Sequence, residues 1–313
     1  SFDWKERKIE EPSPNALGVK KITASLEDVL KFFDWSPFFW SWELKGQYPS
    51  IFDRSDSGTE AKDLFDNAQK LLKRIIKNNL FTCEAMIGLW PAHANGDDVI
   101  LYQDLEKQKE ISRFHFIRRQ QTILEQPQYC LSDYIAPIES DRTDYLGAFA
   151  VCAGAGVDRL AKEFEEDNDD YNAIMTKALG DRFAEGMAEY THKKVRNLWG
   201  FGQKENLNNQ DFIKEKYQGI RPASGYPCQP DHTEKDVIWE LLEVKKNIGL
   251  ELTESRAMDP GSSVSGLYFS NAESKYFNVG KIGKDQVEDY AKRKNWPIEK
   301  ALKWLRPNLG FDE

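Results

Sequence analysis

Two apolar segments flank a tight turn in the first third of the chain. Residues 85–90 (AMIGLW) and 99–102 (VILY) are short and apolar, which is typical of buried strands. Between them lies Asn95-Gly96-Asp97-Asp98, a strong turn signal. Two strands joined by so short a connection run antiparallel, so the sequence predicts an antiparallel hairpin here.

The rest of the chain does not repeat a strand–helix–strand unit. A third strand is predicted over 145–151 and two shorter ones over 264–269 and 276–282. Since strands and helices do not alternate regularly, we predict an α+β fold with an antiparallel sheet. Apolar residues at helical spacing predict helices over 59–79, 157–198 with an interruption near 168–170, 238–248, 287–294 and 298–305.

The chain is expected to divide near residue 25. Residues 1–25 are polar and charged and are predicted to form an extended N-terminal arm, whereas residues 26–313 are predicted to form one domain. Ser25 is a candidate N-cap for a helix that starts at Leu26, with Asp28 three residues further on. Pro37 is expected to bias Ser36 away from helical conformation.

Composition excludes several classes of protein. The 313 residues carry a net charge of −9, which argues against nucleic-acid binding, although a local basic patch stays possible. Mean hydropathy is −0.66, and no uncharged apolar run approaches the roughly 18–20 residues of a membrane span, so a membrane protein is excluded. The aromatic content of 12% suffices for a folded core.

The termini and cysteines bear on location. The first residues show no basic segment followed by an apolar one, so no signal peptide is predicted. Because the chain does not begin with Met, we expect a processed chain or part of a longer one. The cysteines, Cys83, Cys130, Cys152 and Cys228, form no CxxC pair, and a reducing cytoplasm is the predicted compartment.

Motifs for cofactors and metals are incomplete. Residues 152–157 (CAGAGV) follow a strand as a dinucleotide-binding loop does, but Arg159 stands where the third glycine is required. A tight strand-to-helix turn is therefore the favoured interpretation. The four histidines are scattered and the acidic run 165–170 lacks calcium-loop spacing, so no metal site is predicted.

One loop presents unusual chemistry. In residues 220–227 (IRPASGYP), two prolines and a glycine restrict the backbone around Arg221 and Tyr226. A rigidly held arginine can bind a carboxylate through its forked donors. From the residues alone, a ligand site and a structural turn both remain open.

Two further pairs of residues, one acidic and one aromatic, are candidates for functional roles. Asp181 and Glu185 are four residues apart on the long helix, so both face one side, where like charges are unfavourable without a partner. A solvated acidic stripe is the simpler explanation.

Tyr276 and Phe277 begin a predicted strand, and the alternation of side chains along a strand would place them on opposite faces.

These segments together resemble one family, the C-terminal activation domain of cobalamin-dependent methionine synthase. They appear in the family's order over nearly the whole chain. The matching runs are 34–39 (DWSPFF), 169–175 (DDYNAIM), 177–182 (KALGDR), 217–222 (YQGIRP), 225–227 (GYP), 232–235 (HTEK), 263–266 (SVSG), 274–277 (SKYF) and 285–291 (DQVEDYA).

The resemblance implies a fold and a function. The family fold is a single C-shaped domain with a bent antiparallel sheet flanked by helices. Such a domain binds S-adenosylmethionine and supplies its methyl group for reductive methylation of cob(II)alamin. It acts within the methyltransferase that makes methionine from homocysteine, beside the cobalamin-binding domain and with flavodoxin or a flavoprotein reductase as electron donor. The D-x-H-x-x-G cobalamin signature is absent, so this chain alone is expected not to hold cobalamin.

The resemblance also implies roles for individual residues. Asp34 matches the acid that binds the ligand's amino group, and Arg221 the arginine that holds its carboxylate. Asp181 and Glu185 match acids that face the cobalamin domain and its displaced lower-ligand histidine. No catalytic nucleophile, general base or metal ligand is implied. The implied residues for cofactor binding are Asp34, Glu215, Arg221, Ala223, Tyr226, Tyr276 and Phe277.

A second function is compatible with the same residues. A non-catalytic S-adenosylmethionine sensor, or a docking module for a corrinoid protein, would retain the same ligand contacts. The sequence does not separate this alternative from reactivation.

Overall fold

The computed structural model describes residues 4–124 and 126–312. Helices and strands both contribute substantially, and their lengths range from two residues to the 30 residues of the longest helix. The helices in the described residues are α1 (Leu26–Leu30), α2 (Ser36–Ser41), α3 (Gly58–Lys77), α4 (Gly156–Glu166), α5 (Asp170–Trp199), α6 (Asn209–Ile213), α7 (Glu234–Leu242), α8 (Val244–Ile248), α9 (Lys284–Arg293) and α10 (Ile298–Leu305). The strands are β1 (Gly18–Ala24), β2 (Cys83–Asn95), β3 (Asp98–Tyr102), β4 (Glu110–His115), β5 (Asp144–Cys152), β6 (Glu251–Leu252), β7 (Met258–Asp259) and β8 (Ser263–Tyr268).

One antiparallel sheet organises the chain. Its strand order is β4-β3-β2-β5-β8, and β1 also pairs with β2. The long strand β2 pairs β1 along its first half and β3 along its second, while β5 lies on its other side. The predicted hairpin and the predicted α+β class with an antiparallel sheet are both confirmed.

The central strands of the sheet, β2, β3 and β5, are buried on both faces. Along β5, Phe149 and Val151 join a core formed with α1 to α5, whereas Ala148 and Ala150 join a second core formed with α7, α9 and α10. This alternation is the period-two pattern of a strand. All nine residues of β5 are buried, so the strand reads as a continuous apolar run.

The interrupted helix was predicted correctly. The chain leaves α4 through Asn168, whose φ is +58°, and α5 begins at Asp170. Asp169 caps α5, because its Oδ1 accepts a hydrogen bond from the Asn172 amide at 3.1 Å. The Ser25 cap is also present: its Oγ accepts from the Asp28 amide at 3.1 Å.

Two local predictions were wrong. Ser36 is helical, because Pro37 occupies the first turn of α2, where its missing amide hydrogen would have no intrahelical partner. Residues 276–282 do not form a strand. Their backbone bonds the neighbouring loop instead of a ladder: the Val279 amide donates to the Pro227 carbonyl at 2.9 Å.

The N-terminal segment contacts the body of the fold. Its residues 18–24 are strand β1, and the Trp199 indole donates to the Glu10 carbonyl at 2.6 Å. The division of the chain into an arm and a domain at residue 25 stays a prediction.

Candidate functional site

A cleft of about 390 Å³ lies where α5, β8 and two loops meet. A neighbouring cleft of about 230 Å³ shares Glu185, Glu215 and Arg221 with it, so these three residues lie between the two spaces. The larger cleft is lined by Phe149, Glu185, Glu215, Arg221, Pro222, Ala223, Tyr226, Pro227, Cys228, Val264, Ser265, Tyr276 and Phe277.

The loop that carries Arg221 is fixed to the sheet. Ile220 and Phe269 exchange backbone hydrogen bonds of 3.1 and 3.0 Å, and the Leu267 amide donates to the Pro222 carbonyl at 2.9 Å. Gly219 permits this close approach: its φ is +85°, and an added Cβ would lie 2.1 Å from the Phe269 carbonyl oxygen. The loop therefore extends the sheet edge beside β8.

The same loop then turns sharply. The Gly225 amide donates to the Gln229 carbonyl at 2.7 Å, and the φ of Gly225 is +93°. This turn presents Tyr226, which is 66% exposed, beside Ala223. A rigid backbone thus supports an accessible aromatic ring at the mouth of the cleft.

Arg221 is the buried cation of the cleft. Its side chain is 10% exposed and pairs with Glu189 of α5, which is 9% exposed. Burial raises the pKa of Glu189 to about 7, and Glu215 and Glu185 act in the same direction, while Arg221 opposes it. Within the described residues, Glu189 is the sole acceptor for the Arg221 guanidinium, which leaves the other guanidinium donors open to the clefts.

Tyr276 and Phe277 support the loop from the other side. The Arg221 amide donates to the Tyr276 hydroxyl at 3.1 Å. The Phe277 amide donates to the Cys228 Sγ at 3.0 Å, and the thiol donates back to the Phe277 carbonyl at 2.8 Å. Burial raises the pKa of Cys228 to about 11, so it is a thiol and not a nucleophilic thiolate. Both aromatic side chains line the cleft, because no strand alternation separates them.

Asp34 and Glu215 both line the smaller cleft. Asp34 precedes α2, and its Oδ1 accepts from the Ser36 amide at 2.9 Å. Of the two clefts it lines only the smaller one, whereas Ala223 lines only the larger one. Glu215 lines both clefts. Its backbone has a positive φ of +51°.

Asp181 and Glu185 share one side of α5 but differ in surroundings. Glu185 lines both clefts. Asp181 lines neither, and its Oδ1 accepts a hydrogen bond from Ser262 Oγ at 2.9 Å. Part of the compensation for this like-charge pair therefore lies within the chain. Whether these acids face another domain stays a prediction.

Sequence reasoning missed several residues of the site. Glu189 reads as an ordinary helix acid, and no local signal pairs it with an arginine 32 residues away. Ser265 lines the cleft with a buried Oγ that has no hydrogen-bond partner among the described residues. His192, also on α5, is buried away from the clefts against Tyr268, and burial lowers its pKa well below the usual value.

A cleft elsewhere in the fold has a larger volume than the candidate site. A cleft of about 540 Å³ lies at the start of α3 between Trp42 and Tyr171, and its rim carries Asp56, Glu60 and Asp63. It contains none of the predicted ligand residues. Nor do the described residues bring together three His, Cys, Asp or Glu side chains that could hold a metal ion.

Comparison with models of known protein families identifies the family of this chain. The family model described as the vitamin B12 dependent methionine synthase activation domain matches residues 25–295. The chain belongs to this family. It is thus the activation domain of a methyltransferase enzyme and works with the cobalamin domain of that enzyme.

A solved structure extends the comparison to the whole fold. The crystal structure of the MetH reactivation domain bound to AdoHcy is 47% identical in sequence, with a TM-score of 0.97. The match covers 100% of this chain and 96% of that one. Separately, none of the helices in residues 4–124 and 126–312 has the length and apolarity needed to cross a membrane.

Proposed function

We propose that this activation domain binds S-adenosylmethionine in the two joined clefts and supplies its methyl group for reductive methylation of cob(II)alamin. The observation that carries the proposal is Arg221, a buried guanidinium with donors open to the clefts and acids on either side. A zwitterionic amino acid attached to a cation fits such a mixture of charges.

The amino-acid end of the ligand is assigned to Arg221 and Asp34. The forked guanidinium of Arg221 binds the carboxylate. Asp34, which lines the adjoining cleft, accepts hydrogen bonds from the ammonium group. Glu215 closes the rim between the two clefts.

The adenosyl and sulfonium parts are assigned to the larger cleft. Tyr276 and Phe277 provide aromatic surface for the adenine, and Ala223 provides backbone contacts. Tyr226, exposed at the mouth, contacts the sulfonium region. Ser265 Oγ is buried in the wall, has no hydrogen-bond partner in the part of the chain that the structure describes, and is available for a polar contact. The volume of about 390 Å³ lies within the range of small-molecule sites.

For this reaction the protein has chiefly to align the methyl group of the ligand with the cobalt of cobalamin. S-Adenosylmethionine supplies an electrophilic methyl group, whose bond to sulfur breaks as a bond to cobalt forms and one external electron is consumed. No proton has to move, so no general base is required from this chain. Its residues hold the methyl at the open mouth, where proximity and orientation accelerate transfer.

The finer partner assignments belong to the same proposal. Asp181 and Glu185 face the cobalamin domain and its displaced lower-ligand histidine, and flavodoxin or a flavoprotein reductase donates the electron. A reducing cytoplasmic compartment suits the four cysteines, which are buried and unpaired with one another.

The test is a methyl-transfer assay. The chain is combined with a cobalamin domain loaded with cob(II)alamin, a one-electron reductant and S-adenosylmethionine labelled in its methyl group. We expect label on the cobalamin with the unaltered chain and with Arg54→Ala, an exposed arginine paired with Asp56, but not with Arg221→Ala. Ligand binding without label transfer would replace reactivation by the sensor function, and transfer that survives loss of Arg221 would refute the assigned site.

A further inference from the structure

Glu189 approaches Arg221 from a different part of the fold. Arg221 lies on the loop beside β8, whereas Glu189 belongs to the long helix α5. The two side chains form a buried ion pair, and both line the smaller cleft with Asp34. The Arg221 side chain has several rotatable bonds, and its contact with Glu189 of the helix restricts their rotation.

The hydrogen bonding of the Glu189–Arg221 ion pair is incomplete. Glu189 Oε2 is buried and has no hydrogen-bond partner among the described residues. A buried carboxylate with an unpartnered oxygen is costly for stability, so stability alone does not explain its presence. Its contact with Arg221 does have a functional consequence, because it fixes the direction in which the remaining guanidinium donors point.

We infer that Glu189 is a positioning residue for ligand binding: it holds the Arg221 guanidinium in the orientation that receives the ligand carboxylate. The inference rests on the proposed function, since the ligand is the amino-acid end of S-adenosylmethionine. Glu189 acts through Arg221, so its effect should appear only for ligands that Arg221 contacts. An arginine free to rotate would lose much of its rotamer entropy on binding, which preorganisation avoids.

Several charged and titratable groups surround Glu189, and they define its response to pH. Burial raises the pKa of Glu189 to about 7. As the pH falls through that value, protonation removes the negative charge that holds Arg221, and affinity for the ligand carboxylate should fall. The groups around it are Asp34, Arg182, Glu185, His192, Arg196, Glu215, Tyr217, Arg221 and Tyr268.

The experiment compares two ligands and two variants. S-Adenosylmethionine and its decarboxylated form, which keeps the sulfonium and the amine, are titrated into the unaltered chain and into Glu189→Gln. We expect the variant to bind S-adenosylmethionine about 10-fold more weakly at pH 8 and the decarboxylated ligand within twofold of the unaltered chain, which corresponds to about 1.4 kcal/mol for the carboxylate alone. Glu189→Asp, which keeps the charge but shortens the side chain, should fall between them.

Two further measurements separate positioning from a structural role. In an Arg221→Ala background, Glu189→Gln should have no additional effect on S-adenosylmethionine binding. Between pH 8 and 6, the affinity of the unaltered chain should fall more steeply than that of Glu189→Gln. Equal weakening of both ligands, or failure of both Glu189 variants to fold, would overturn this inference while leaving the proposed function intact. Absence of binding by the unaltered chain would instead overturn both.

Discussion

Two buried arginines contact the same side of α5 and differ in what they bind. Arg196 lies on the helix and is 1% exposed; it makes a two-pronged pair with Glu205 and donates to the Gln218 carbonyl. Arg221 reaches the helix from the loop beside β8, and within the described residues its guanidinium bonds Glu189 alone. The two helix positions, 189 and 196, are seven residues apart and therefore share one face.

The difference separates a structural arginine from a binding one. The acceptors of Arg196 are all within the chain, and Glu205 Oε1 also accepts from the Gln218 amide at 2.9 Å, so this cluster is complete without a ligand. Arg221 is buried to a similar degree but retains donors that face the clefts. Incomplete hydrogen bonding at a buried charge, more than burial itself, marks the candidate site.

The largest expected effect concerns the complete cluster. Replacing Arg196 by Met leaves Glu205 without its partner and should lower the free energy of unfolding by about 3–5 kcal/mol, as for a broken buried ion pair. Urea denaturation followed by circular dichroism measures this loss. Affinity for S-adenosylmethionine in the folded fraction should change less than about threefold, because Arg196 lines neither cleft. A variant that unfolds normally but no longer binds would reverse the assignment of roles.

Arg221→Ala should show the opposite balance. Removal of the carboxylate partner should raise the dissociation constant for S-adenosylmethionine about 100-fold, or about 2.7 kcal/mol, the range of a hydrogen bond to a charged group. Stability should fall less than in the Arg196 variant, because Glu189, whose pKa is about 7, can take up a proton when its partner is lost. Calorimetry and urea denaturation of the same preparation check the two halves, and a stability loss as large as that of Arg196→Met would contradict the comparison.

Gly219→Ala tests whether the backbone of the loop places Arg221. The added Cβ would lie 2.1 Å from the Phe269 carbonyl, and the φ of +85° adds about 1–2 kcal/mol of strain. The loop should shift, and ligand affinity should fall about 10-fold. Gly249→Ala is the matched control, since its φ is +67° but no atom lies within 4 Å. Equal ligand affinity in the two variants would show that loop placement is unimportant.

The smallest effect is expected for Tyr276→Phe. The hydroxyl that accepts from the Arg221 amide is removed while the aromatic surface is kept. A single hydrogen bond contributes about 1 kcal/mol, so S-adenosylmethionine should bind about fivefold more weakly. Fluorescence or calorimetric titration resolves a change of this size, and a loss above about 30-fold would indicate a contact other than this hydrogen bond.

Local patterns in the sequence predicted much of the fold. The hairpin, the strand over 145–151 and the interrupted helix follow from apolar periodicity and turn residues. The predicted strand ended at residue 90, whereas β2 continues through Pro91 to Asn95. In the sheet, β1 pairs as far as Leu89 and β3 from Ala92, so Pro91 stands between these two strands on one side of β2, while it lies opposite Tyr145 of β5 on the other side.

Some residues of the candidate site could be predicted from the sequence, and others could not. Arg221 and Tyr226 stand out in the sequence because prolines and glycines restrict the loop that carries them. Glu189 does not, because its pairing with Arg221 depends on how α5 packs across the sheet edge. The error over residues 276–282 has the same origin: a β-like composition was satisfied by hydrogen bonds to the loop at 227–228.

Titration calorimetry of S-adenosylmethionine into the purified chain tests the central claim most directly, with Arg221→Ala and Arg54→Ala measured beside it. The account predicts one-to-one binding by the unaltered chain and by Arg54→Ala, and binding about 100-fold weaker by Arg221→Ala. No binding by the unaltered chain, or equal affinity in all three proteins, would contradict it.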